Sequence, residues 1–388
     1  MIKIQKVMQK KILALACFVL SGGCFISSVN GQSGVNIITT AVPFLRISPD
    51  ARTGGMGDAG IAISPDANAG FWNLAKTPFA TAPSALGATY TPWLQDIAQD
   101  VYMIALAGYH KLDEDQAFSG GIRYFNLGQI QFTDYNGNLT GTGRPFEFGL
   151  DLGYSRKISS TLGLGVALRY INSSLANGAV SQSGVSYKAG STIAADLSLY
   201  GNNTDEYDGH GLTYGLAITN LGGKVGYTDN ADTKDFIPAN LGAGVAYTWA
   251  FQELHKFTLA LDINKLLVPA APDPDDYVSD TTGLQAALDE YHNQSVFSSW
   301  FKSFGDNNYS GSIGAEYGYD NMFFLRAGYY KETKEMGDRS YFTAGVGIKY
   351  QIFTFNFSYL APSGNGVTRN PLSNTLRFGV LFDLGPQE

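Results

Sequence analysis

Apolar residues fall at every second position over Phe146, Phe148, Leu150, Leu152 and Tyr154, with Glu147, Gly149, Asp151 and Gly153 between them. The pattern returns at Leu162, Leu164, Val166, Leu168 and Tyr170, and again at Leu376, Phe378, Val380, Phe382 and Leu384. Side chains on a strand alternate between faces, so each run is a strand with one apolar face and one small or polar face. The apolar faces are long and capped by Tyr or Trp, while the opposite faces carry Gly and charge. This combination predicts an all-β fold, a transmembrane antiparallel β-barrel with lipid outside and water or a plug inside.

The same reading along the chain predicts strands near 84–93, 101–110, 117–127, 145–157, 161–172, 191–200, 211–221, 239–250, 255–265, 310–319, 322–332, 340–350, 351–360 and 374–384, about fourteen in all. The connections alternate in length. Residues 128–144, 173–190, 222–238, 266–309 and 361–373 are long, whereas 113–116, 158–160, 251–254 and 320–321 are short. Long extracellular loops and short periplasmic turns give this alternation; a soluble sandwich has no reason for it. One connection departs from it. Residues 201–210 should form a short turn yet are long, which marks the place where a strand pair could be missing.

The polar faces collect Arg123, Glu147, Asp151, Arg169, Asp196, Asp262, Glu316, Arg326, Lys349, Arg377 and Asp383. Arg or Lys facing mid-bilayer lipid costs about 2–4 kcal/mol, so these charges are expected in the lumen, where they either pair with one another and stiffen the interior or serve ion selectivity. A barrel of this strand number is too wide to be filled by its own side chains. The Gly-, Ala-, Pro- and Asn-rich segment 32–84 precedes the first strand and lacks alternation, so it is the expected plug. Barrel strands then occupy 85–388.

Composition adds a route to the membrane. Lys3, Lys6, Lys10 and Lys11 precede the apolar run Ile12–Leu20, and Val29-Asn30-Gly31 offers a cleavage site, so 1–31 reads as a signal peptide. Cys24 after Ser21-Gly22-Gly23 raises a lipoprotein alternative with poorly fitting upstream residues. Cleavage after Gly31 removes both cysteines, Cys17 and Cys24, and with them any disulfide or thiol chemistry. Loss of the four lysines moves the net charge from −8 to −12, which argues against nucleic acid as a partner. A mean hydropathy of −0.06 fits strands in which only alternate residues are apolar.

The densest local signal runs from Pro49-Asp50-Ala51-Arg52-Thr53-Gly54-Gly55-Met56-Gly57-Asp58-Ala59-Gly60 to Ser64-Pro65-Asp66-Ala67-Asn68-Ala69-Gly70-Phe71-Trp72-Asn73-Leu74-Ala75. Its glycines allow close backbone approach, but neither a P-loop ending nor a Rossmann context follows. The stretch resembles the N-terminal hatch of FadL-like outer-membrane proteins, with Gly55, Met56, Gly57, Asp58, Gly60, Phe71, Trp72 and Asn73 carrying the motif. The fuller string resembles the PorV branch, of the type IX secretion system of Bacteroidetes. Leu74 stands where Pro is common.

That resemblance implies a non-enzymatic secretion component of the outer membrane. Its implied partners are the translocon barrel subunit, cargo bearing a C-terminal signal domain, a surface sortase or attachment complex, and outer-membrane lipid with lipopolysaccharide. A FadL-like transporter of hydrophobic small molecules is the alternative, and the charged lumen counts against it.

In the longest connection, Phe297, Trp300, Phe301 and Phe304 fall at helical spacing. They form either a helix packed on the rim or interfacial lipid, or an aromatic patch that docks a partner. The acidic run Asp273, Asp275, Asp276 and Asp280 lacks calcium-loop spacing. His110, His210, His255 and His292 show no paired metal spacing. No cofactor, metal or catalytic residue is therefore assigned.

Overall fold

The structure, a computed structural model, describes residues 37–93, 98, 100–133, 136–176, 186–205, 207–229, 234–252, 254–363 and 374–385. The expected signal peptide, its cleavage site and both cysteines lie outside these residues. Among the described residues, fourteen antiparallel strands close into one barrel. They are β1 (Ser84–Pro92), β2 (Val101–Lys111), β3 (Gln116–Leu127), β6 (Phe146–Lys157), β7 (Leu162–Ser174), β8 (Gly190–Thr204) and β9 (Gly211–Gly222). The wall continues through β10 (Asn240–Phe251), β11 (His255–Leu266), β12 (Tyr309–Tyr319), β13 (Phe323–Glu332), β14 (Ser340–Tyr350), β15 (Phe353–Pro362) and β16 (Thr375–Leu384). Closure comes from β1 and β16, which pair from Ser84↔Leu384 to Tyr90↔Phe378 and leave no free edge.

All fourteen alternating runs are strands. Leu86, Leu106, Phe118, Leu152, Leu168, Leu216, Leu325 and Phe355 point outward and are exposed, while their neighbours in sequence turn inward. Among the described residues no additional strand pair is present there. Strand β8 instead runs on to Thr204, which pairs with Gly211, so only residues 205–210 remain as a turn. Asp205 shapes that turn by accepting the amides of Tyr207 and Asp208. Two elements have no counterpart in the alternating pattern. A short hairpin, β4 (Ile130–Thr133) with β5 (Leu139–Gly143), occupies the β3–β6 connection. Helix α3 (Thr281–Asn293) occupies the β11–β12 connection.

The segment from Ile38 to Pro83 threads the barrel from the long-loop end to the short-turn end. Ile38 donates its amide to the Glu335 carbonyl in the β13–β14 connection, and Ala41 donates to Phe236. Phe44 and Leu45 then pack with Met103, Phe125, Ile171 and Val225. Helix α1 (Ala51–Gly54) lies against β14, β15 and β16. After α2 (Ala69–Trp72), a 3-10 stretch, Leu74–Phe79, lies against β6, β7 and β8.

Gly57 adopts a φ of +67° and passes so close to the wall that a Cβ would lie 2.7 Å from the Tyr329 amide nitrogen. On the wall side, a Cβ at Gly328 would overlap the backbone of Met56 and Gly57. Backbone cannot swing aside as a side chain can. Gly328→Ala should therefore lift this segment off β13 and cost about 1–3 kcal/mol. The check is the temperature at which the folded band converts to the unfolded one in heat-modifiability gels. Conversion at the wild-type temperature would contradict the close packing.

Candidate functional site

Several sets of charged contacts fasten the hatch to the wall. Asp50 caps α1, accepting the Thr53 amide at 2.9 Å and the Trp72 indole N–H at 2.6 Å. Its carboxyl is fully buried. Next to it, Arg52 makes a two-pronged contact with Glu316 of β12, at 3.1 and 2.8 Å, and reaches Asp66 at 3.2 Å. Glu316 also accepts Arg326 Nε at 2.6 Å, and Arg326 donates to Asn356 at 2.8 Å. One wall carboxylate thus joins a hatch guanidinium to a wall guanidinium.

The second set centres on Asp262. It accepts the amides of Gly60 and Ile61 at 2.7 and 2.9 Å. The Gly60 carbonyl in turn accepts Lys76 Nζ at 2.7 Å. Lys76 is buried. Asn73 donates to the Leu199 carbonyl at 3.0 Å and to Ile61 at 3.2 Å. Asp58, at a φ of +63°, accepts the Tyr341 hydroxyl at 2.6 Å.

The other motif residues pack. Met56 is fully buried, Gly55 faces Gly345, and the Trp72 ring covers Gly60 so closely that no Cβ fits there. Phe71 lies over the Arg123 guanidinium at 5.2 Å.

The remaining lumen charges divide into groups. Arg169 bonds Asp151, Asp196 and Asn220, with the Asp196 contact at 2.9 Å. Arg123 lies 3.6 Å from Asp151. Glu147 accepts Ser173 Oγ at 2.7 Å, and Lys349 meets Asp383 at 2.6 Å nearer the turn end. Arg377 is buried, with no hydrogen-bond partner at Nε or Nη1.

Sequence reading missed Arg46, Arg52, Lys76 and Glu332 as members of these networks. Glu332 accepts Arg46 at 2.8 Å and Arg339 Nε at 2.7 Å. Its place on β13, in step with Arg326, was the signal that could have found it. The hatch cations carry no periodic signal.

At the loop end, α4 (Val296–Lys302) follows α3. Val296 and Tyr291 pack down onto a cluster of Ile38, Phe236, Val268 and Met336. Phe297, Phe301 and Phe304 face away, 66%, 63% and 54% exposed, and Trp300 is half-buried beside them. The Phe297 and Phe301 rings sit 5.1 Å apart. Asp273 and Asp280 serve as caps, of a 3-10 turn and of α3. Among the described residues, no cluster of His, Cys, Asp or Glu is arranged to hold a metal ion.

A closed, outwardly apolar barrel of fourteen strands with an ion-paired hatch in its lumen defines an outer-membrane β-barrel. Solved structures share the fold. A TodX deltaS2S3 mutant monoaromatic hydrocarbon channel aligns with a TM-score of 0.54 at 13% identity, covering 86% of this chain and 99% of that one. The Pseudomonas putida toluene transporter TodX gives 0.52 at 14% identity, covering 90% and 98%. The monoaromatic hydrocarbon channel CymD gives 0.51 at 12%, covering 88% and 98%. The family model for type IX secretion system protein PorV matches residues 30–273, more than half of the sequence, and the chain belongs to that family. No curated protein matches the chain.

Proposed function

We propose that this protein binds the C-terminal signal domains of secreted cargo at the type IX translocon and carries them to a surface sortase or attachment complex. The observation that carries this reading is the aromatic face of Phe297, Phe301 and Phe304, held outward at the loop end of a barrel whose lumen holds the hatch. Large exposed aromatics clustered on one element are typical anchors of protein interfaces. The work is binding rather than chemistry, with the barrel as a lipid-embedded scaffold. The motif residues Gly55 to Asn73 act by seating the hatch, and the lumen charges by fastening it.

The alternative, a transporter of hydrophobic small molecules, needs an apolar route through the barrel. Buried Arg, Asp and Glu side chains line this lumen instead, and each would have to be desolvated against a greasy solute.

Crosslinking in native outer membranes followed by purification tests the reading. A large translocon barrel subunit and cargo bearing the signal domain should be recovered, and deletion of the protein should halt cargo export. Recovery of bound hydrophobic small molecules alone, with export intact after deletion, would establish the transporter instead.

A further inference from the structure

The lipid-facing wall carries a depression of about 730 Å³ across the outer faces of β1, β2, β3 and β6. Its floor is a break in the apolar alternation. Leu86, Gly108, Gly120 and Leu152 stand in register across the four strands, all on the outward face. Glycine within a strand packs nothing and often marks a place where another molecule approaches closely. The next row toward the loops is filled by Leu106 and Ile122, and the next row toward the turns by His110 and Phe118. Leu86 leans over Gly108, where a Cβ would lie 2.6 Å from its Cδ2. Above Gly120 the space is open. A Cβ there would meet only the Asp151 carbonyl at 3.6 Å and Leu152 Cδ2 at 3.7 Å.

The depth of this hollow in the membrane decides what covers it. Gly108 and Gly120 stand three and four residues from the turn ends of their strands. That is about 10–13 Å along the strand, and less along the membrane normal because barrel strands tilt. Just below, the Phe118 and Tyr154 rings lie 5.4 Å apart and the Tyr154 hydroxyl bonds Gln116, which marks the polar boundary. The hollow therefore lies in the leaflet on the short-turn, periplasmic side, among phospholipid tails. His110 stands exposed at its turn-side edge. Its Nδ1 bonds Ser84 Oγ at 2.8 Å, and its Nε2 has no protein partner among the described residues. When Ser84 donates to Nδ1, Nε2 carries the proton and donates to a phosphate or ester oxygen. Apolar contact alone gives no preference, since lipid tails are as apolar as the wall they cover. Shape does: a chain over Gly120 meets atoms on its flanks as well as beneath, and gains dispersion energy that a convex wall does not offer.

We infer that this depression is a specific lipid site. It holds one acyl chain of a periplasmic-leaflet phospholipid over Gly120, with His110 Nε2 bonded to the oxygens of the headgroup or ester. An apolar hollow with one polar group at its edge matches a tail and its headgroup. This lipid stays with the barrel while its neighbours exchange. The site is independent of the secretion reading.

Native mass spectrometry of the full-length protein, extracted from outer membranes in a mild detergent, provides the test. The wild type should keep one phospholipid per barrel through detergent exchange. Gly120→Leu should abolish the adduct. Its side chain fills the hollow without crowding the wall, so gel mobility before and after boiling should match the wild type. Ala243→Leu adds the same bulk at an outward position of β10, away from the hollow, and should keep the lipid. His110→Ala should lower the retained fraction roughly fivefold, as expected for one lost hydrogen bond. A wild type without bound phospholipid, equal retention by Gly120→Leu, or lipopolysaccharide as the retained lipid would each overturn the assignment. Unchanged lipid with loss of a copurified protein in Gly120→Leu would overturn it too, and would give the hollow to a protein partner.

Discussion

Glu316→Gln is expected to release the hatch. The wild-type carboxylate, with its side chain only 9% exposed, neutralises Arg52 and Arg326 together. Glutamine keeps the shape and one acceptor oxygen but removes the charge. Arg52 retains Asp66 at 3.2 Å and Ser64. Arg326 retains only the Asn356 amide oxygen, so a buried guanidinium loses its counter-charge. Breaking a buried pair in this way costs about 3–5 kcal/mol. The folded band should convert at a clearly lower temperature, and trypsin should cut after Arg46, Arg52 or Lys76, whose side chains are largely shielded in the wild type. Adding Arg326→Met should recover part of the loss by removing the stranded charge along with its partner. A single variant as heat-stable and protease-resistant as wild type would show that Glu316 does not fasten the hatch.

The wall was legible in the sequence because a half-buried strand writes its two environments into alternate residues. Where that contrast fades, so does the reading. Gly201, Asn202, Asn203 and Thr204 carry no large apolar side chain of their own, yet backbone pairing to β9 carries β8 through them. The β4–β5 hairpin is too short to show a period. Helix α3 has no buried residue, so its sequence lacks a strong apolar stripe.

The hatch was visible as a string and not as a mechanism. Its glycines read as close backbone approach, which Gly57 and Gly60 bear out. Which hatch group each wall carboxylate meets depends on contacts more than 200 residues apart, such as the Gly60 amide with Asp262 or Arg52 with Glu316. No local pattern encodes such pairs. Arg52 stood inside the quoted string while its partner stood among the wall charges, and only folding joins them.

Replacing Phe297, Phe301 and Phe304 together with Ser should abolish stable partner capture while leaving the barrel folded. The three rings follow helical spacing along α4 and into the next turn, and all are largely exposed, so their removal opens no cavity in the protein. In an interface, a central aromatic anchor contributes about 2 kcal/mol or more, roughly a thirtyfold change in affinity for each ring. Val296 faces the other way, into the cluster with Ile38 and Met336, so Val296→Ser should loosen the loop and lower its protease resistance. The contrast separates docking from mere support of the loop. Loss of crosslinked translocon and cargo in the triple variant, with wild-type heat conversion, fits an aromatic docking face. Unchanged recovery and export, with weaker retention in lipid vesicles, would assign the rings to the lipid interface instead.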